Sequence, residues 1–96
     1  MIVHIALFKW KPDVPNELVS RLMGNIKNLK GQIPSLVDIM SGENFSKYNE
    51  GFTHAVVAIF KDREGLDAYR VHPLHKPVAG MADKMEEKSI GIDFEA

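Results

Sequence analysis

Cysteine is absent from the 96 residues. That excludes a disulfide framework, a cysteine zinc ribbon and a thiol nucleophile, and it suits a reducing compartment. An excess of charge is also missing: 12 Lys and Arg stand against 13 Asp and Glu, for a net charge of −1. With no cluster of Lys and Arg to track phosphates, neither nucleic acid nor an anionic membrane is an expected partner. Long apolar runs are lacking as well. The stretch from Met1 to Trp10 is too short to cross a bilayer, has no basic segment before it and is interrupted by His4. The expected location is the cytoplasm. No glycine pattern for phosphate binding occurs, and no Ser, Thr or Lys stands out as an activated nucleophile. Nor is there a repeat, low-complexity tract or linker, so residues 1–96 are expected to form a single domain.

What is present is hydrophobic patterning. Hydrophobic residues make up 45% of the chain and charged residues 26%, the balance of a folded domain. Ile2 to Trp10 alternate, with Val3, Ile5 and Leu7 on one face and Ile2, His4, Ala6, Phe8 and Trp10 on the other. Both faces are mainly apolar, which predicts a strand covered on both sides. Pro15 and Glu17 suit a helix start, and Leu18, Leu22, Met23, Ile26 and Leu29 recur at helical spacing. The helix is expected from about Pro15 to Lys30, ended by Gly31 and Pro34. Leu36 to Met40 and Phe52 to Phe60 read as strands, with a loop or irregular hairpin connection over Ser41 to Gly51. Asp62 caps a helix over Arg63 to Val71, His72-Pro73 interrupts it, and helix resumes near Pro77. Ser89 to Phe94 form the last strand.

The order strand, helix, strand, strand, helix, strand is that of an α+β, ferredoxin-like subunit. Helices on one side of its sheet leave Val3, Ile5, Leu7, Ala55, Val57 and Ile59 bare on the other. A contiguous apolar face of that kind marks an interface. Packing two such sheets face to face closes a barrel-like core, and a two-fold homodimer is the simplest arrangement. A domain this small buries only about two-thirds or less of its unfolded-chain surface, so a partner subunit adds needed burial.

The segments His4-Ile5-Ala6-Leu7-Phe8-Lys9, Leu29 to Pro34, Gly42-Glu43-Asn44, Gly51-Phe52-Thr53-His54 and Tyr69-Arg70-Val71-His72-Pro73-Leu74-His75 resemble the stress-responsive α/β-barrel (Dabb) domain. The resemblance runs from Ile2 to about Phe94, and Gly-Phe-Thr-His with His-Pro-x-His are its specific parts. It implies a dimeric α/β barrel. Members of the family include a plant cyclase that closes a linear polyketide thioester by aldol chemistry. By that resemblance His75 matches the catalytic histidine and Tyr69 its assisting tyrosine. His4, His54 and His72 match pocket histidines, and Asp93 matches an Asp of the last strand. Leu22, Met23 and Ile26 stand where the cyclase's first helix presents aromatic rings, which implies a different substrate.

Imidazole exchanges protons near neutrality, and a ring-closing condensation needs a base beside a carbonyl and a donor for the developing oxyanion. On this reading His75 is the base, Tyr69 orients it or donates, and Asp93 holds a histidine tautomer. The four histidines are expected to converge on one cavity between sheet and helices. The bland reading is that each histidine is hydrogen-bonded in place and pins a turn to a strand. The short spacing of His72 and His75 raises zinc as a rival, but proline follows His72 and no Cys or nearby Glu completes a ligand set. No cofactor and no metal are expected. The function expected is binding of a small, partly apolar molecule, with or without cofactor-free acid/base chemistry. Two alternatives stand beside it: a non-catalytic stress-associated structural or binding protein, and a cofactor-independent monooxygenase of the related dimeric barrel fold.

Overall fold

The computed structural model describes all residues, 1–96. Its elements in chain order are β1 (Ile2–Trp10), α1 (Asn16–Lys27), β2 (Leu36–Glu43), β3 (His54–Phe60), α2 (Arg63–Val71), α3 (His75–Met85) and β4 (Glu86–Glu95). The four strands form one antiparallel sheet in the order β2-β3-β1-β4. This is the ferredoxin-like α+β arrangement expected from the sequence. All three helices lie on one face, where Ile2, Phe8, Val56, Ala58 and Phe60 of the sheet are buried with Val19, Leu22 and Ile26 of α1. Leu66 and Tyr69 of α2, and Ala82 and Met85 of α3, complete that core.

The opposite face is bare. Across β1 and β4, Val3 pairs with Phe94, Ile5 with Ile92 and Leu7 with Ile90, so these six side chains share one surface. Ile90, Ile92 and Phe94 are 38%, 41% and 47% exposed, and Met40 of β2 is 52% exposed.

Several boundaries differ from expectation. α1 ends at Lys27 rather than Lys30, because Leu29 and Lys30 bond back three residues, to Ile26 and Lys27. The chain tightens there before Gly31 takes φ +79°. β2 continues through Ser41, Gly42 and Glu43, residues that read as loop, because each is paired with β3, ending at Glu43 opposite His54. Ladder pairing overrides their weak strand preference. α3 starts at His75 rather than near Pro77. Pro77 is tolerated in that first turn, where backbone N–H groups have no helical partner. β4 starts at Glu86, directly after α3, rather than at Ser89. α2 matches its expected span, and Asp62 caps it by accepting the Gly65 N–H at 2.8 Å.

Candidate functional site

The junction between α2 and α3 builds the site. His72 precedes Pro73, which steers it out of helical geometry, to φ −65° and ψ 137°. Its Nδ1 accepts the Leu74 N–H at 3.1 Å and so ties the turn together. The chain doubles back and lays the His75 ring against Tyr69, with centroids 4.1 Å apart. The Arg70 carbonyl lies in the last turn of α2, where carbonyls lack helical partners. It accepts from His75 Nδ1–H at 3.3 Å. A carbonyl can only accept, so the proton sits on Nδ1 and the lone pair on Nε2. Burial lowers the His75 pKa below the usual imidazole value, with the Arg70 carbonyl opposing and the charges of His4, Arg70 and His72 adding to the effect. The ring is therefore neutral at pH 7. Burial pushes Tyr69 up to about 12, so its phenol keeps its proton at physiological pH.

His4 enters from β1, directly opposite Asp93 of β4. Its Nδ1–H donates to Asp93 Oδ1. The other carboxylate oxygen, Oδ2, accepts from Arg70 Nη2 at 2.7 Å. Burial pushes Asp93 up, but the hydrogen bonds from His4 and Arg70 and the electrostatic pull of these two partners outweigh it and hold the carboxyl below its usual range. His4, Tyr69 and His75 supply the polar atoms of a cavity of about 110 Å³. Ala6, Phe8, Ile26, Val56, Val78, Ala79 and Ala82 form its apolar walls. The arrangement can bind a small group and exchange a proton with it.

The four histidines do not converge. His54 faces a separate groove of about 290 Å³ between α1 and β2, together with Met23, Lys27 and Glu43. Its Nδ1 accepts from the Trp10 indole N–H at 2.9 Å, and the Thr53 hydroxyl lies 2.9 Å from the same nitrogen. Burial lowers its pKa, with Glu43 opposing, so His54 is a neutral ring that pins β3 to Trp10. His72 is occupied in its turn. Of the three residues singled out on the first helix, Ile26 alone lines the cavity. Leu22 is wholly buried in the core, and Met23 borders the His54 groove. His72 and His75 engage different partners through Nδ1, and no group of three or more His, Asp or Glu side chains is placed to hold a metal.

Sequence reasoning missed Arg70. It stands inside the Tyr69–His75 segment, but nothing local shows that it meets Asp93, 23 residues away. A larger concavity of about 350 Å³ has that ion pair in its own wall, together with Arg63, Asp67 and Glu95; it contains no imidazole.

Residues 2–96 match the profile of Dabb, the Stress responsive A/B Barrel Domain. The chain belongs to that family. It is 28% identical over 94 residues to a stress-response A/B barrel domain-containing protein of Arabidopsis thaliana, covering 95% of this chain and 82% of the relative. It is 25% identical over 95 residues to olivetolic acid cyclase of Cannabis sativa, covering 97% and 94%. A dimeric ferredoxin-like protein of unknown function from Thermobifida fusca superposes with a TM-score of 0.89 at 27% identity, over 99% of this Dabb chain and 90% of the other. No helix of the Dabb chain is long and apolar enough to cross a membrane.

Proposed function

We propose that this Dabb chain forms a homodimer through its bare sheet face, binds the head of a small carbonyl compound in the cavity beneath α3, and exchanges a proton with it through His75. The observation that carries this reading is the state of His75. Its Nδ1 is committed to the Arg70 carbonyl, so Nε2 is the nitrogen with a free lone pair, on a neutral ring in a mostly apolar cavity. Nε2 removes a proton alpha to the carbonyl, and the Tyr69 hydroxyl donates to the oxygen on which charge develops. The similarity to olivetolic acid cyclase supports carbonyl chemistry of this type. The open side of the sheet and the dimeric Thermobifida fusca neighbour support the homodimer. Uninterrupted matching over residues 2–96 supports one domain.

The test is a titration of isotopically labelled protein with small ketones and short β-keto thioesters, followed by thioester turnover. Ring signals of His75 and Tyr69 should shift on binding, and turnover should vanish in His75→Ala. A folded His75→Ala variant that still turns over removes His75 as the base.

One observation favours a second reading, a non-catalytic stress-associated protein. The cavity, at about 110 Å³, is smaller than the roughly 300 Å³ at which typical ligand sites begin. Failure of every probe to shift the cavity signals would select this reading.

A further inference from the structure

We propose that Arg70 is the positioning residue for both cavity histidines: its carbonyl orients His75, and its guanidinium, acting through Asp93, orients His4. The proposal deepens the acid/base reading above, and its kinetic arm rests on that reading. Arg70 lies in the last turn of α2, next to Tyr69, and its two polar ends point to different tasks. Its carbonyl accepts from His75 Nδ1–H at 3.3 Å. Its Nη2 donates to Asp93 Oδ2 at 2.7 Å, while Nη1 lies 4.0 Å from Asp67, one turn back on the same helix.

Asp93 then acts as a bridge. One oxygen takes the guanidinium and the other takes His4 Nδ1–H, so the carboxylate plane is held from both sides. An isolated neutral imidazole has two tautomers, and the hydrogen bond at one nitrogen decides which is present. Whenever the His4 ring is neutral, commitment of Nδ1–H to Asp93 leaves its lone pair on Nε2, the same state that the Arg70 carbonyl imposes on His75. One residue thereby sets two imidazoles to the same tautomer in one cavity, beside the Tyr69 hydroxyl. An arginine suits the task, because its planar group stays charged and fixes the direction of its hydrogen bonds.

The two arms of Arg70 can be separated, because only one is a side chain. Arg70→Met removes the guanidinium, keeps an apolar stem and leaves the carbonyl in place. Long-range ¹H–¹⁵N spectra of the imidazoles read both tautomers directly. In the parent protein His4 and His75 should each show Nδ1–H. In Arg70→Met, His4 should lose its single tautomer and show a population with the proton on Nε2, while His75 stays unchanged. Arg70→Lys should restore His4 in part. Arg70→Gln removes the charged fork while keeping a polar stem, should disturb His4 in the same way, and serves if Arg70→Met does not fold. If the reaction proposed above is present and His4, which shares the cavity wall with His75, helps to orient the substrate, kcat of Arg70→Met should fall by roughly tenfold with KM little changed, as when a group that positions the reactants is misplaced. Unchanged His4 nitrogen shifts in folded Arg70→Met would overturn the assignment. The tautomer measurement needs no turnover, so an inactive parent protein would remove the acid/base reading and leave the positioning role to stand or fall on the spectra.

Discussion

Tyr69 and His75 lie ring against ring, with centroids 4.1 Å apart and planes 37° from parallel, across the junction of α2 and α3. The tyrosine ring also packs on Phe60 at 5.0 Å. Its ring and its hydroxyl therefore have separable jobs. Tyr69→Phe keeps the packing and removes a hydroxyl that forms no hydrogen bond within the chain. Its unfolding free energy should stay within about 0.5 kcal/mol of the parent. Tyr69→Ala should cost roughly 3–5 kcal/mol, as for other buried aromatic truncations. Under the proposed chemistry Tyr69→Phe should nevertheless lose about a hundredfold in turnover, since it removes an oxyanion donor. Urea unfolding and thioester turnover on the same samples check both. A stability loss as large in Tyr69→Phe as in Tyr69→Ala would show that the hydroxyl holds the fold instead.

Ile92 sits opposite Ile5 in the middle of the bare sheet face. Placing a carboxylate there buries an unpaired charge if two sheets pack together, at a cost of several kcal/mol. Ile92→Glu should convert a dimer to a monomer by light scattering at micromolar concentration. The parent protein should also show a melting temperature that rises with concentration, as any self-associating fold must. A variant that remains fully dimeric would place the interface elsewhere.

The fold was legible because its signals are periodic. Alternation in β1 and β3 separated the two faces of the sheet correctly, and the Asp62 cap marked the start of α2. Boundaries slipped where pairing decides structure rather than local preference. Ser41, Gly42 and Glu43 are strand because β3 lies beside them, a fact that no window of sequence around them contains. The same limit applied at the site. His75 and Tyr69 were paired through the family resemblance of the short segment they share, and their rings do lie against each other. His54 and His72 lie outside the cavity, each tied elsewhere through Nδ1, His54 to the Trp10 indole N–H and His72 to the Leu74 N–H. Arg70 escaped notice because its partner stands on another strand, and side-chain pairing across β1, β4 and α2 is visible only in three dimensions.

His54 and His75 both titrate below the ordinary 6.5, because burial disfavours the charged ring. As pH falls through 6.5 the unfolded chain takes up protons that the folded chain still refuses. The unfolded state then binds more protons, so stability falls with falling pH from about 6.5 down to the lowered folded values. Above that window the contribution is fully present. Asp93 adds a second step: its folded pKa lies below the ordinary 3.8, so its stabilisation is present above 3.8 and is lost as pH falls through the folded value. Urea midpoints should therefore be flat above pH 7, decline below about 6.5 and decline again below about 3.8. The double variant His54→Gln, His75→Asn should flatten the first decline and spare the second. A first decline of undiminished size in that variant would assign it to other groups.

Ala79 gives the most direct separation of a working cavity from a merely structural one. It lies on α3, in the wall of the cavity of about 110 Å³ that holds His4, Tyr69 and His75. Leucine is nearly as good a helix former as alanine, so the backbone should accept Ala79→Leu, and the added carbons enter existing space. Filling a cavity in this way commonly stabilises a domain by about 0.5–2 kcal/mol. Arg70 does not line the cavity, so the hydrogen bond of His75 to its carbonyl should persist and the imidazole should keep its tautomer. If the cavity receives a ligand, Ala79→Leu should abolish the probe-induced shifts of His75 and Tyr69, and turnover with them, in a protein at least as stable as its parent. If the cavity is only a packing defect, the variant should gain stability with nothing else to lose. Chemical denaturation and the same ligand titration on the one variant distinguish these outcomes. Retained binding in the filled protein would move the ligand out of this cavity altogether.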